Sequence, residues 1–394
     1  MDGSYQLLAA QYVRKQTRQL IGQLDGVRQA DDIEFVHRAR VASRRLRAAL
    51  RIFDDCFASK KLARWRREIR RLTKELGAAR DKDVQIDFVG RYLAELRNKS
   101  YRPGIARLLL RLEQGRQAIQ PEVVEAVERF QRKEIAEEML AAARKTRSKL
   151  KKRKVPKQSD FLFRKAEKHI CARLNELMQF EDGLEYPDDQ QQHHALRIAG
   201  KRLRYTMEIC QPVYQGRLDE FIGAVKRLQT LLGDVHDCDV WVADLAQFLE
   251  EERRRTVVYF GHDRAFPKFA DGIEFFRQER QSRRQELFAE LVAFWHELDH
   301  AGVWERLVHT VQYPTTPVEP EAPSDAPRPK SASQPAPAAA QGNGKASAGP
   351  VHGDGGPRHP RTDAASSARG PHDLSPETRS TAIPGAGGPV RSES

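Results

Sequence analysis

The chain has 394 residues, a formal net charge of +13 and 31% charged residues, enough by length for a sizeable core and two or three domains. No stretch approaches the roughly 18 uninterrupted apolar residues of a helical membrane span, and the N-terminus Met-Asp-Gly-Ser-Tyr-Gln lacks the regions of a signal peptide, so neither a membrane partner nor secretion is expected. Cys56, Cys171, Cys210 and Cys238 are scattered without a C-x-x-C pair, which fits a reducing cytoplasm.

Residues 4–24 read as an amphipathic helix through Leu7, Leu8, Tyr12, Leu20 and Ile21. Gly26 and Asp31-Asp32 then punctuate the chain and cap a second helix that runs to about Phe57. At 100° per residue, His37, Arg40, Arg44, Arg47 and Arg51 fall on one side of it, and Ala39, Ala42, Leu46, Leu50 and Phe53 on the other. A third helix, about Lys60 to Leu76, turns Leu62, Trp65, Ile69, Leu72 and Leu76 inward and carries Arg66, Arg67, Arg70, Arg71 and Lys74 on its other face. Gly77 is expected to cap its C-terminus, with a fourth helix over about 81–98. Pro103-Gly104 breaks the chain, a short helix follows to Gln117, and Pro121 opens a long helix to about Leu150. The run from Lys149 to Lys157 is the densest in cations and reads equally well as a flexible interdomain linker or a polyanion contact.

The sequence then starts again. His37 recurs as His194, 157 residues on, while Trp65, Ile69, Arg70 and Arg71 recur as Phe221, Val225, Lys226 and Arg227 at 156. Leu76, Gly77, Asp81, Asp83 and Val84 recur as Leu232, Gly233, Asp237, Asp239 and Val240 at the same offset. Such a long period indicates duplication of a helical half rather than a short-repeat solenoid. In the second copy His194, Arg197, Lys201 and Arg204 share a narrow sector, opposite Leu196, Ala199, Leu203, Met207 and Cys210. A helix near 238–254, a connection from Tyr259 to Gly272 and a long helix to about His300 follow. That last helix packs through Phe275, Phe276, Leu287, Leu291, Phe294, Trp295 and Leu298. Residues 314–394 contain eight acidic and eight basic residues, so the whole positive excess lies in residues 1–313. This tail is rich in Pro, Ala, Gly and Ser and is expected to be disordered.

A stripe of cations at i, i+3, i+7 and i+10 costs roughly 1 kcal/mol in like-charge repulsion, and acids at i+4 that would relieve it are not expected in either stretch. One such helix would read as a solvated face. Two in the same phase point to a polyanionic partner. Arginine forks and lysine point charges on adjacent helices suit the repeated phosphates of a flexible chain.

The carriers of both stripes, His37-x-x-Arg40-Val41-x-x-Arg44-Arg45-Leu46-Arg47 and His194-x-x-Arg197-Ile198-x-x-Lys201-Arg202-Leu203-Arg204-Tyr205, resemble the CHAD family, the conserved-histidine α-helical domain. Leu76-Gly77-x-x-Arg80-Asp81-x-Asp83-Val84 and Leu232-Gly233-x-x-His236-Asp237-x-Asp239-Val240 strengthen the resemblance, which spans about residues 1–312. It implies two helical bundles facing one another across a basic channel, and binding of inorganic polyphosphate. Family members are associated with polyphosphate granules, and some are fused to triphosphate tunnel enzymes, whose E-x-E-x-K element is absent here. Carried over by position, the implied ligands are His37, Arg40, Arg44 and Arg47 with His194, Arg197, Lys201 and Arg204. Arg45, Arg51, Arg70, Arg71, Lys74, Arg202, Lys226 and Arg227 join them as candidate contacts. Lys201 stands where the first copy has Arg44 and keeps charge without the bidentate fork, and His236 replaces Arg80.

The reading is therefore an all-α chain of two pseudo-symmetric halves, 1–155 and 156–312, followed by the tail 313–394. Its function is binding of polyphosphate in the cytoplasm or on granules, without catalysis, cofactor or metal. Generic nucleic-acid binding is the main alternative. Only Tyr205 adjoins a stripe, however, so stacking platforms for bases are not evident. A metal-dependent phosphohydrolase built on His236-Asp237-x-Asp239 is weaker, because Asp81 and Asp83 recur without a histidine. Helix N-capping and salt bridges to the basic helices are the expected role of these aspartates, and the adjacent His193-His194 pair is expected to be incidental.

Overall fold

Apolar residues at three- and four-residue spacing run through most of the chain, and in the computed structural model, which describes residues 2–314, they form helices, with no strand among the described residues. The order is α1 (Gly3–Ile21), α2 (Leu24–Gln29), α3 (Ile33–Ile52), α4 (Ser59–Glu95), α5 (Arg102–Arg132) and α6 (Ile135–Lys152). There follow α7 (Asp160–Met178), α8 (Gln190–Tyr214), α9 (Asp219–Phe260), α10 (Pro267–His300) and α11 (Val303–Gln312). Short 3-10 turns lie at Asp54–Cys56 and Glu181–Glu185. Apart from Tyr313 and Pro314, the tail lies outside the described residues.

Both stripe-bearing helices start on an aspartate that satisfies an otherwise unpaired N–H. Asp32 accepts from the Glu34 amide at 2.8 Å to open α3, and Asp189 accepts from the Gln192 amide at 2.9 Å to open α8. Beyond these starts, several breaks read from the sequence are absent. The helix expected to end at Gly77 continues to Glu95 as a single 37-residue helix, and α9 runs 42 residues straight through Gly233. A glycine costs a helix interior only about 1 kcal/mol, and Leu72, Leu76 and Ala79 around Gly77 are all buried. Pro121 likewise lies inside α5, because Leu108, Leu112, Val123, Val127 and Phe130 keep one buried face on both sides of it. The chain breaks instead at Lys133-Glu134, where Glu134 takes φ 51°. A further helix, α11, follows the turn at Gly302 and packs Trp304 at a tilt against Trp295 with ring centroids 5.6 Å apart.

The cationic connection after α6 is anchored rather than a free linker. Ser4 Oγ donates to the Pro156 carbonyl at 2.8 Å, and Val155 packs on Gly3, where a Cβ would come within 2.7 Å of it.

One apolar core takes side chains from both halves, including Trp65, Leu46, Leu72, Leu203, Leu228 and Trp295. α3 packs on α4, α8 on α9, and α3 also touches α8. A smaller cluster around Val89, Ile105, Trp241 and Phe276 joins α4, α5, α9 and α10. There the starts of α5 and α10 approach so closely that a Cβ on Gly104 would lie 2.2 Å from the Phe269 carbonyl oxygen, and one on Gly272 2.2 Å from that of Tyr101.

The aspartates of the Leu-Gly elements are not N-caps. They stand in helix interiors, and two of them clamp helix pairs. Asp83 on α4 takes Arg116 of α5 at 2.6 Å, and Asp239 on α9 takes Arg284 of α10 at 2.9 Å.

Candidate functional site

The two motif helices meet along a polar seam. Arg45 of α3 donates from Nε and Nη2 to Glu208 Oε2 of α8 at 3.3 and 3.2 Å, and Arg204 Nε lies 3.3 Å from Glu208 Oε1. The Tyr205 ring serves both guanidiniums, with Cζ of Arg44 5.7 Å and Cζ of Arg204 5.2 Å from its centroid. Glu208 sits at i+4 from Arg204, so the second stripe does have the relieving acid that its sequence reading lacked. Glu34, four residues before Arg38 at 3.8 Å, supplies another beside the first.

α3, α4, α8, α9 and α10 line a cleft of about 640 Å³. Seven cationic side chains line it (Arg40, Arg44, Arg91, Arg197, Lys201, Arg280 and Arg283) against three acids, Asp81, Asp234 and Asp237. Arg40 is compensated by Asp81 at 3.3 Å. Arg44, Arg197 and Lys201 have no acid within ion-pair distance among the described residues, and Arg197 Nε is buried without an acceptor. A separate cleft of about 570 Å³ between α4, α5 and α9 has an apolar floor of Leu108, Leu112, Trp241, Leu245 and Phe248 and contains none of the motif residues.

Enclosure and like charge set the protonation states. Burial, reinforced by Arg197, Arg44 and Arg40, lowers the Lys201 ammonium to about 7. Burial also presses the Arg44 and Arg197 guanidiniums below their usual range, although guanidinium stays charged. His236 falls to about 4, through burial first and then Arg197, His194 and Lys201. His37 and His194 are lowered as well, chiefly by burial and by the arginines Arg80 and Arg197 respectively. Asp237 reaches solvent but lies within the concave wall, and that enclosure raises its carboxyl against the pull of Arg197 and Lys201.

The remaining sequence candidates are distributed unevenly. His194 is exposed and faces His236, ring centroids 4.9 Å apart. His37 lies half-buried near Arg80 and Arg40. Arg47 and Arg51 continue the cationic surface along α3, Arg47 near Arg70 and Arg44, Arg51 near Arg202, Arg173 and Arg66. Arg202 is paired with Glu176. Arg70, Arg71, Lys74, Lys226 and Arg227 are exposed and do not line the cleft. Arg71 lies 3.6 Å from the buried Glu68, while Arg227 covers the Phe294 ring at 4.1 Å and lies 3.7 Å from Glu297. His193 turns inward, its Nε2 3.0 Å from the Gly183 carbonyl oxygen, whereas its neighbour His194 faces out.

The sequence reading missed Arg91, Arg280 and Arg283, which lie on helices judged by their apolar faces. The Arg280-x-x-Arg283-Arg284 spacing on α10 was the available signal. Arg280 stacks its guanidinium 5.2 Å from the Phe88 centroid and 5.4 Å from that of Phe276, which holds it at the cleft wall. Among the described residues no group of three or more His, Cys, Asp and Glu side chains converges in a way that could hold a metal ion.

Comparison with known proteins identifies what this arrangement is similar to. A sequence model of the CHAD domain matches residues 11–246. The fold is similar to the crystal structure of the CHAD domain from the plant Ricinus communis, with a TM-score of 0.55 and 21% identity over 75% of this chain and 93% of that one. It is also similar to PptA from Streptomyces chartreusis, with a TM-score of 0.53 and 16% identity over 73% of this chain and 98% of that one. Among curated proteins, none matches the chain.

Proposed function

The chain belongs to the CHAD domain family, whose sequence model covers residues 11–246, and from that premise we propose that its cationic cleft binds inorganic polyphosphate. The observation that carries this reading is the convergence of Arg44 from α3 with Arg197 and Lys201 from α8, none of them with an acid at ion-pair distance among the described residues. Holding the Arg44 and Arg197 charges together in a half-buried cleft, with Lys201 partly discharged beside them, is unfavourable unless a polyanion occupies it and restores the lysine charge. A linear phosphate chain supplies regularly spaced oxygens that each cation can meet by a charge-assisted hydrogen bond.

Beyond Arg44 the surface remains cationic through Arg47 and Arg51 toward Arg202 and Arg173. A chain longer than the cleft would therefore keep finding partners. The proposed activity is binding without catalysis, in the cytoplasm and on polyphosphate granules. Asp81 is engaged with Arg40, and His236 is held neutral near pH 7, which leaves neither poised as a proton donor.

The test is binding of labelled long-chain polyphosphate to the full chain and to the Arg44→Ala, Arg197→Ala, Lys201→Ala triple variant. At about 1 kcal/mol or more per charge-assisted contact, the variant should lose on the order of a hundredfold in affinity with its helical content unchanged. Equal affinity in the two proteins would move the site elsewhere.

A further inference from the structure

The last turn of α9 is apolar and largely exposed. Val257, Val258, Tyr259 and Phe260 are 42%, 82%, 81% and 56% exposed. Four consecutive residues at 100° each sweep the whole circumference of a helix, so apolar surface is exposed around the tip, most of all at Val258 and Tyr259, while Val257 and Phe260 are partly covered. Gly261 then reverses the chain in the left-handed conformation, φ 76°, which makes the turn a projecting end. The residues beyond 314 contain almost no large apolar side chain that could cover it.

A collar of cations stands just behind the tip. Arg254 precedes it by one turn, Arg264 and Lys268 follow it, and none of the three has an acidic partner among the described residues. Arg253 and Arg255 flank them but are tied to Asp263 at 2.9 Å and to Glu252 at 2.7 Å. Beside the tip lies a hollow of about 850 Å³, walled in part by Val258, Phe260 and Phe269, by Arg254, and by Arg107 and Arg111, both paired with Glu252. Along α9 the tip is about 30 Å from Asp237 at 1.5 Å per residue, too far for the two to share one ligand.

We propose that this tip is an interfacial anchor that inserts Val257–Phe260 into an anionic lipid surface, with Arg254, Arg264 and Lys268 at the level of the headgroup phosphates. The geometry selects that occupant. A groove on a partner protein or a second copy would cover one side of a helix, whereas a bilayer interface surrounds a projecting end on all sides. Tyrosine and phenylalanine suit the boundary between headgroups and acyl chains, and a basic collar complements anionic headgroups. No helix of the described chain is long and apolar enough to cross a membrane, and contact of this kind needs none. The anchor departs from the expectation that the chain has no membrane partner.

The experiment is co-sedimentation of the full chain with phosphatidylcholine vesicles, with and without phosphatidylglycerol, read beside tryptophan emission of a Tyr259→Trp variant. The expected result is pelleting with the anionic vesicles and a blue shift of the emission. A Val258→Ser, Tyr259→Ser, Phe260→Ser variant, and separately an Arg254→Glu, Lys268→Glu variant, should each lose roughly tenfold or more in vesicle affinity. Both should keep wild-type polyphosphate binding and helical content, since all five positions are exposed and remote from the cleft. Three results overturn the proposal: no pelleting with anionic vesicles, pelleting that the serine variant retains (adsorption by net charge alone), or concentration-dependent dimerisation that the serine variant abolishes without any vesicle binding.

Discussion

At Lys201, burial and the neighbouring Arg197, Arg44 and Arg40 bring the ammonium to about 7, so the protein groups alone hold it partly neutral at neutral pH. A bound polyanion favours the charged form. Binding therefore takes up a proton above about pH 7, and affinity for polyphosphate should fall as pH rises from there, by up to roughly tenfold per unit. Isothermal titration in buffers of different ionisation enthalpy would count that proton. Lys201→Arg, whose charge does not titrate in this range, should flatten the profile; an unchanged slope would place the titrating group elsewhere. His236, already down to about 4, and the lowered His37 and His194 add steps only on the acid side. For the unliganded fold the sign is opposite. The unfolded chain keeps the Lys201 proton up to its ordinary 10.5, so this group's contribution to stability increases as pH climbs above about 7.

Glu208 is the second residue with a distinct signature, because it takes Arg45 from α3 as well as Arg204 from its own helix. Glu208→Gln should lower the unfolding free energy by about 1 kcal/mol and tighten polyphosphate binding by freeing two guanidiniums, measurable by urea titration and by the binding assay. Weaker binding would mean that Glu208 positions the arginines rather than competing for them. At this scale the motif residues Arg40, Arg44, Arg197 and Lys201 were readable in the sequence, because a stripe at helical spacing points them the same way. The reach of Arg45 across to Glu208 was not, since it depends on how two helices separated by 163 positions come together. Arg91, Arg280 and Arg283 were passed over because their helices were read by their apolar faces, although the Arg280-x-x-Arg283-Arg284 spacing stood in the sequence.

At the scale of elements, the apolar periodicity marked most of the helices but not where they stop. Gly77, Gly233 and Pro121 are local breakers in isolation, yet each lies within a helix whose buried face continues past it, and tertiary burial outweighs a local cost of one to three kcal/mol, approximately. The aspartates of the Leu-Gly elements were readable as ion-pair partners of something. Asp81 does pair with Arg40 of the basic helix α3, as expected, whereas the partners of Asp83 and Asp239, Arg116 and Arg284, come from helices outside the motifs. The side chains of Asp83 and Arg116 are only 2% and 13% exposed, so Asp83→Asn should cost about 3 kcal/mol in the urea-denaturation free energy, and Asp239→Asn a comparable amount. Since neither aspartate lines the cleft, polyphosphate affinity measured under native conditions should stay the same. A neutral effect on stability from both would show that the α4–α5 and α9–α10 pairs are held by their apolar contacts alone.

At the scale of the whole molecule, the charge excess of +13 is confined to residues 1–313, so removal of residues 315–394 should leave polyphosphate affinity unchanged. The all-helical fold was legible because the chain lacks alternating strand patterns and carries long helical ones. That both halves contribute to one core was not, because the α3–α8 and α5–α10 contacts join segments with no local signal for one another. General charge does not separate a phosphate chain from nucleic acid, as both release counterions on binding; direct competition between the two does. The most direct measurement is therefore retention of labelled long-chain polyphosphate by the full chain at physiological salt, against excess duplex and single-stranded DNA. The proposed site predicts that polyphosphate stays bound and that the Arg44→Ala, Arg197→Ala, Lys201→Ala variant releases it, whereas ready displacement by DNA, or binding indifferent to those three substitutions, would contradict it.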